Sequence, residues 1–255
     1  MEQFITAACT DKGKLKDVNQ DALVIEEAET VNGNILLAAV ADGLGGLAAG
    51  EIASRKMAEA LSGWFENSLA ATVSQTGRLP SLEDFRNEMN FLLSRTAADI
   101  YKGEKESCGT TVTAILFGFG EYHIVHVGDT RAYVLDGEFK QLTKDQTYIQ
   151  RMIDRGEITE EEAETHPKRS VLIQCVGASE FIAPQYLSGH YEAGMKFMIC
   201  SDGFRHKVKA EEFKEGLLTA DTEDELKDLA STLTDLNLKR GETDNISSIF
   251  IHITE

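Results

Sequence analysis

The chain has 255 residues, of which 42% are apolar and 27% charged, a composition typical of a soluble globular protein. Its formal net charge of −18, from 25 basic and 43 acidic residues, argues against a nucleic-acid-binding protein and against binding to anionic membranes. The sequence contains no Pro-rich or Gly/Ser-rich linker and no internal repeat, which predicts a single domain over residues 1–255.

The first residues and the cysteines predict a cytoplasmic location. The opening stretch MEQFITAACTDKG lacks the basic and apolar regions of a signal peptide, and no apolar run approaches the ~18 residues of a membrane span. None of the four cysteines belongs to a C-x-x-C pair, so we expect free thiols in a reducing compartment at Cys9, Cys108, Cys175 and Cys200.

The first part of the chain predicts three strands followed by two helices. The strands are expected over residues 3–9, 22–27 and 34–41. A helix begins near Ala49, and a second begins after Ser81, a plausible N-cap. Both helices carry apolar stripes at helical spacing, which we interpret as core packing: Ala53, Met57, Ala60, Leu61, Trp64 and Phe65 in the first, and Phe85, Met89, Leu92, Thr96 and Ile100 in the second.

The second part of the chain returns to strands, expected over residues 109–118, 121–128 and 131–136, with a hairpin turn at LDGE, residues 135–138. A mixed, polar stretch at 145–178 contains a short helix near 146–154. It is followed by a strand at 195–200, a helix carrying Leu226, Leu229, Leu233 and Leu236, and the final strand NISSIFIHI. Strands and helices in separate blocks predict an α+β fold, and strands that are apolar on both faces favour two packed sheets with helices outside.

Four aspartates stand at the ends of apolar strands. Asp42 follows AAVA, Asp129 ends YHIVHVGD, Asp202 follows KFMIC, and Asp244 precedes NISSIFI. Taken singly, each is most simply a turn residue. If the strand ends converge, however, the carboxylates repel one another and raise one another's pKa, a cost that a divalent cation removes. With no Cys/His cluster in the sequence, hard oxygen ligands favour Mg²⁺ or Mn²⁺.

Seven short motifs then follow in order along nearly the whole chain: KDVNQDA, VADGLGG, CGTTVTAILF, HVGDTRAYVLDG, QLTKDQT, SDGF and TDNIS. In this order and spacing, the chain resembles the catalytic domain of bacterial-type metal-dependent serine/threonine protein phosphatases, type 2C of the PPM family. The resemblance implies a four-layer αββα sandwich of two mainly antiparallel sheets flanked by helix pairs.

The resemblance also implies a binuclear Mn²⁺ or Mg²⁺ site at one edge of the sheets. Asp42 would bridge both ions, the carbonyl of Gly43 would bind one of them, and Asp202 and Asp244 would bind the other. A water between the ions would hydrolyse phosphoserine and phosphothreonine in proteins without a phosphoenzyme. The implied partners are phosphoprotein substrates and a cognate serine/threonine kinase.

Several positions depart from the family pattern. Lys16 stands where the family commonly has an arginine that binds the substrate phosphate. Asp21, by contrast, matches an acidic residue of the family that orients metal-bound water. Asp129 matches a ligand of a third, looser ion, but His206 replaces its aspartate partner, so we expect a third ion to be doubtful. Leu44 replaces a proposed general-acid histidine of some relatives.

The segment at about 147–170 resembles the family's mobile flap, and its His166 is a candidate for a role in the reaction. Lys16, His206 and Gln20, which replaces a glutamate of some relatives, leave open a second interpretation, a catalytically weak pseudophosphatase that acts as a partner-binding regulatory module. A third interpretation is hydrolysis of small phosphate esters.

Overall fold

The computed structural model describes residues 3–44, 49–103 and 108–255. Gly45 and Gly46 of the VADGLGG motif lie outside the described residues. In the described ranges, no helix is long and apolar enough to cross a membrane. The four cysteines are free thiols, as predicted.

The described strands form two antiparallel sheets. In chain order they are β1 (Gln3–Asp11), β2 (Asp21–Thr30), β3 (Gly33–Leu44), β4 (Gly109–Thr110), β5 (Val112–Gly118), β6 (Glu121–Val127), β7 (Arg131–Asp136), β8 (Glu138–Gln141), β9 (Gln185–His190), β10 (Lys196–Cys200) and β11 (Ile246–Thr254). The first sheet has the order β1-β11-β10-β7-β8, and the second has the order β2-β3-β5-β6-β9, with the short β4 paired to the end of β3.

Helices cover the outer faces of the two sheets. In chain order the helices are α1 (Gly50–Trp64), α2 (Ala70–Thr76), α3 (Leu82–Gly103), α4 (Tyr148–Asp154), α5 (Glu160–Glu164), α6 (Asp202–Arg205), α7 (Ala210–Thr219) and α8 (Glu223–Lys239). The two short helices α4 and α5 lie in the segment between β8 and β9. A π-helical turn, Phe65–Leu69, joins α1 to α2. Helices α1 and α3 pack on the second sheet, and α7 and α8 pack on the first.

Three apolar layers result from this arrangement, and β3 contributes to two of them. Because successive side chains of a strand point to opposite faces, Ile35, Leu37 and Ala39 face α1 and α3, whereas Leu36, Ala38 and Val40 face the other sheet. The third layer lies between the first sheet and α6–α8. The α+β, four-layer αββα architecture is therefore confirmed, and the doubly apolar sequence of residues 34–41 is explained by burial on both faces.

Most predicted elements are present at nearly the predicted positions. Ser81 accepts a hydrogen bond from the Asp84 N–H at 3.2 Å, which confirms its capping role. The turn at 135–138 joins β7 to β8, with Gly137 in the left-handed region at φ 66°.

Three predictions about elements were wrong or incomplete. The strand expected over 109–118 is divided into β4 and β5, because Gly109 and Thr110 leave the sheet to pair with Leu44 and Gly43. The edge strand β9 and the helix α7 were not predicted. In α3, Leu93 is fully buried, whereas Leu92 only packs against the margin of the core.

Candidate metal centre

The register of the strands collects the predicted aspartates at one end of the sandwich. Asp21 begins β2 directly opposite Asp42 near the end of β3. In the first sheet, Cys200 at the end of β10 lies opposite Arg131 of β7 and Ser248 of β11. Asp202, Asp129 and Asp244 lie just beyond these positions, so the four strand-end aspartates and Asp21 share one edge of the two sheets.

Hydrogen bonds fix the backbone of Asp42 and leave its side chain facing the edge. The Asp42 N–H donates to Thr111 Oγ1 at 3.0 Å, and the Asp42 carbonyl accepts from the Thr111 N–H at 2.8 Å and from Thr110 Oγ1 at 3.0 Å. These contacts explain why the predicted strand is interrupted between β4 and β5, because Thr110 and Thr111 both form hydrogen bonds with Asp42.

Gly43 is required by a close approach of three backbone segments. A Cβ at this position would overlap the carbonyl of Gly50 and would lie 2.6 Å from the carbonyl oxygen of Gln20. The Gly43 N–H donates to that same Gln20 oxygen at 3.0 Å. The glycine therefore allows the start of α1 and the loop before β2 to pack directly against the VADGLGG motif.

Asp202 and Asp244 are neighbours across the first sheet. Gly203 packs so closely on the 244–245 backbone that a Cβ there would lie 3.3 Å from the Asp244 side chain. Asp202 is buried, and its Oδ1 has no hydrogen-bond partner among the described residues. Lys16 Nζ lies 2.9 Å from Asp244 Oδ1, and this ion pair raises the pKa of Lys16 against the effect of its partial burial.

The crowding of carboxylates perturbs their protonation. Burial raises the pKa of Asp21 to about 7, and the charge of Asp202 acts in the same direction. Burial also raises the pKa of Asp42 well above its usual range, with Asp21 as the next cause. The hydroxyls of Ser247 and Ser201 oppose the rise in the Asp21 pKa without cancelling it, and neither Asp21 oxygen has a hydrogen-bond partner of good geometry in the described part of the chain. A buried carboxylate that is so weakly satisfied calls for a cation or a proton.

Asp129 differs from the other carboxylates because a guanidinium lies beside it. Arg205 Nη2 donates to the Asp129 carbonyl at 3.1 Å and lies 4.0 Å from Asp129 Oδ2. Burial raises the pKa of Asp129 to about 7, and the charge of Asp202 adds to the rise, whereas the Arg205 charge opposes it. Arg205 also contacts Asp145 Oδ2 at 3.3 Å, and Asp145 is held by both Nε and Nη2 of Arg131.

These residues fit a hard divalent cation by their chemistry. Oxygen donors are concentrated at one edge, several lack hydrogen-bond partners, and their pKa values rise as expected for uncompensated negative charge. Within residues 3–44, 49–103 and 108–255, however, no three His, Cys, Asp or Glu side chains form a group that could hold a metal ion in their present positions. The candidate ligands are collected at the edge, but they do not form a coordination sphere in their present positions.

Comparison with known proteins decides the family. A family model described as Protein phosphatase 2C matches residues 12–241 of the chain. The chain belongs to the protein phosphatase 2C family.

Within this family, the chain is similar to serine/threonine protein phosphatase PstP of Mycobacterium tuberculosis, with 34% identity over 98% of this chain and 45% of that protein. It thus spans about half the length of that relative. A putative protein phosphatase 2C-type from Streptococcus pyogenes is 30% identical over 95% of both chains. The crystal structure of the PstP catalytic domain in complex with two manganese ions superimposes with a TM-score of 0.79 at 31% identity, covering all of both chains.

The other predicted site residues differ in their surroundings. Lys16 reaches the shared edge through Asp244. His166 lies in the segment between α5 and β9, where its Nδ1 accepts a hydrogen bond from the Lys168 N–H at 3.1 Å. That bond is local to the turn, and a role of His166 in the reaction stays a prediction.

Three residues that support the edge were missed by the sequence interpretation. Asn245 accepts from the Gln20 N–H at 2.9 Å and donates to the carbonyls of Lys12 and Val18, so it holds the loop that carries Lys16. Arg205 faces Asp129, and Glu242 accepts from the backbone of Asp244. Their positions gave the available signal, since Asn245 lies in the TDNIS motif, Glu242 directly precedes it and Arg205 directly follows SDGF.

The raised pKa values predict that the metal-free protein loses stability as the pH rises from about 6 to about 8. Asp21 and Asp129 have folded-state pKa values of about 7, above their unfolded values, so over this range the folded state binds protons that the unfolded chain has already released. Their contribution is therefore greatest at low pH and is lost as the pH rises through about 7, at about 1 kcal/mol for each group. Urea unfolding of chelator-treated protein measures this slope.

The variant Asp21→Asn is the matched control, because it removes one of these titrations and keeps the size of the side chain. Its stability should change less between about pH 6 and about pH 8 than that of the wild type. An equal slope in the two proteins would show that Asp21 does not titrate in this range.

Proposed function

We propose that this chain is an enzyme that hydrolyses phosphoserine and phosphothreonine in proteins at a site for two Mn²⁺ or Mg²⁺ ions. The observation that carries the proposal is the collection of Asp42, Asp202, Asp244 and Asp21 at one sheet edge, with buried oxygens that lack partners, in a member of the protein phosphatase 2C family. Relatives are named serine/threonine phosphatases, and the structure of PstP contains two manganese ions.

Each residue has a separate task in this proposal. Asp42 would be shared by the two ions, the Gly43 carbonyl would hold one of them, Asp202 and Asp244 would hold the other, and Asp21 would orient a water molecule. When bound, the ions would supply an activated water and neutralise the charge of the phosphate. Carboxylates bind metal ions in their ionised form. The raised pKa values of Asp21 and Asp42 therefore support a competition between protons and metal ions for these carboxylates.

Lys16 is the proposed phosphate-binding residue. Its ammonium already lies at the edge, where it neutralises Asp244 in the absence of ions. Ions bound by Asp244 would weaken that pair, and the ammonium would be free to contact a phosphate oxygen. A lysine binds phosphate as a point charge, without the two-pronged contact of an arginine.

The contact between Arg205 and Asp129 supports two ions rather than three. The guanidinium lies 4.0 Å from the Asp129 carboxylate, whose charge it offsets in part, and it is held there by the Asp129 carbonyl and by Asp145. A cation beside Asp129 would have to share that space with a positive charge.

The biological setting completes the proposal. The free cysteines and the family support a cytoplasmic, bacterial signalling enzyme that reverses a cognate kinase. Residues 1–255 form one phosphatase domain, in which the segment at about 147–170 serves as a flap beside the site.

The pseudophosphatase interpretation is disfavoured because a degenerate site would be expected to have lost Asp42, Asp202 or Asp244. The names of the relatives favour phosphoproteins over small phosphate esters.

The test of the proposed function is Mn²⁺-dependent hydrolysis of a phosphothreonine peptide by the purified chain and by its Asp202→Asn variant. We expect turnover by the wild type and a loss of more than about 100-fold in the variant, because a ligand charge is removed from the site. Circular dichroism verifies folding of the variant. No Mn²⁺-stimulated turnover by the wild type, or wild-type rates in Asp202→Asn, would contradict the proposal.

The role of Lys16 is tested by Lys16→Arg and Lys16→Ala. If Lys16 contacts the phosphate, Lys16→Ala should raise KM by about 10-fold through loss of a charged hydrogen bond, and Lys16→Arg should lower KM through a two-pronged contact. Steady-state kinetics with a phosphopeptide measure both. The surface variant Lys227→Ala, which removes a solvent-exposed ion pair with Glu223, is the control. An unchanged KM in both Lys16 variants would place Lys16 outside the phosphate site.

The number of ions is tested by calorimetric titration of metal-free protein with Mn²⁺. We expect two binding events in the wild type and the same two in Asp129→Asn, because the Arg205 guanidinium already lies beside Asp129. A third event that is present in the wild type and absent in Asp129→Asn would show that Asp129 holds an ion.

A further inference from the structure

Glu242 is a buried carboxylate at an edge that already contains too much negative charge. It lies two residues before Asp244, in the short segment between α8 and β11. Its Oε1 accepts hydrogen bonds from the N–H groups of Thr243 at 2.7 Å and Asp244 at 2.9 Å. One oxygen of Glu242 therefore fixes the backbone of Asp244.

The second oxygen of Glu242 points toward the other predicted ligand of the same ion. Glu242 Oε2 is buried, has no hydrogen-bond partner in the described chain, and lies 3.4 Å from Nδ1 of His206. The opposite ring nitrogen, Nε2, lies 3.4 Å from Oδ2 of Asp202. His206 is thus placed between the two carboxylates, at distances typical of an ion pair and long for a hydrogen bond.

The C-terminal end of α8 holds both arms of this arrangement. One arm runs from Glu242 through His206 to Asp202, and the other runs from Glu242 to the Asp244 backbone. The Glu242 N–H donates to the carbonyl of Asn237 at 3.0 Å. Asn237 is fully buried, and its Nδ2 donates to the Phe204 carbonyl at 2.7 Å, while its Oδ1 accepts from the Lys207 N–H at 3.3 Å. The α6 turn that carries Asp202 and the segment that carries Asp244 are therefore tied to the same helix end.

A turn-stabilising role explains only half of these contacts. Oε1 alone satisfies the two N–H groups, and a neutral acceptor would serve as well there. A buried charge close to Asp202 and Asp244 is unfavourable unless its second oxygen is also used. His206 is the partner that the second oxygen faces, and it transmits the contact to Asp202.

We propose that Glu242 is a positioning residue that, through His206 and through the Asp244 backbone, sets the relative placement of Asp202 and Asp244 for one divalent ion. This inference rests on the proposed two-ion function. Residues behind metal ligands hold the ligands in their binding orientation, and their loss typically weakens metal affinity by about 10- to 100-fold. The same range is expected here, for one ion only.

The variant Glu242→Gln tests the proposal, because it keeps an acceptor for the two N–H groups and removes the charge that faces His206. Calorimetric titration of metal-free protein with Mn²⁺ should show one binding event weakened by about 10- to 100-fold and the other changed by less than about threefold. The melting temperature of the metal-free variant should stay within a few degrees of the wild type. Two unchanged binding events would overturn the proposal.

Glu212→Gln is the matched control. Glu212 is a salt-bridged glutamate of the neighbouring helix α7, bound by both terminal nitrogens of Arg240, and it has no contact with Asp202 or Asp244. Its loss should leave both Mn²⁺ events unchanged. Equal losses in Glu212→Gln and Glu242→Gln would point to general destabilisation and would overturn a specific positioning role.

The arm through His206 is tested by His206→Gln, which should weaken the same Mn²⁺ event, and this result stands even if Glu242→Gln fails to fold. Where both single variants fold, the double variant should lose no more than the larger single loss, because the two residues act in series. Unchanged binding in His206→Gln, or additive losses, would overturn the arm. A wild type that binds no Mn²⁺ at all would instead overturn the proposed function.

Discussion

Mutual repulsion among carboxylates at one edge of the sandwich is the constraint on which the site depends. The antiparallel register places Asp21 opposite Asp42 and brings Asp202 and Asp244 to the same edge, so the sheets impose the crowding. Two large apolar layers on β3 and its neighbours offset that cost, because they fix the strand ends whatever the state of the carboxylates. A site of this kind is unfavourable when empty and favourable when a cation is present.

The basic residues of the chain neutralise only part of this charge. Lys16 pairs with Asp244, and Arg205 lies beside Asp129 while Arg131 holds Asp145. Asp21 and Asp42 have raised pKa values and receive no comparable cation from the described residues, and Arg205 only partly offsets the raised pKa of Asp129. Uncompensated charge therefore remains at the β2–β3 end, which is where Asp42 would bridge two ions. The distribution of basic residues and the proposed positions of the ions are complementary.

The parts of the fold that the sequence predicted are those decided by local pattern. The apolar run at residues 34–41 predicts a strand that is buried on both faces. Ser81 predicts the start of a helix because its side chain caps the first turn of α3. The break at Thr111 could not be predicted, since it depends on hydrogen bonds to Asp42, about seventy residues earlier. In the site, the strand-end aspartates were predicted, but Arg205, Asn245 and Glu242 were not, because their roles arise only from contacts between distant segments.

His206 shows how one position changes its meaning once its neighbours are known. As a replacement for an aspartate, it was interpreted as a poor ligand for a third ion. In the structure, its two ring nitrogens face Asp202 and Glu242, and Asp129 is instead approached by Arg205. A glutamate at 242 without a ring at 206 would leave a buried oxygen unused, and a histidine at 206 without Glu242 would have one carboxylate partner instead of two. Glu242 and His206 face each other, and together they connect Asp202 with the backbone of Asp244, the two proposed ligands of one ion.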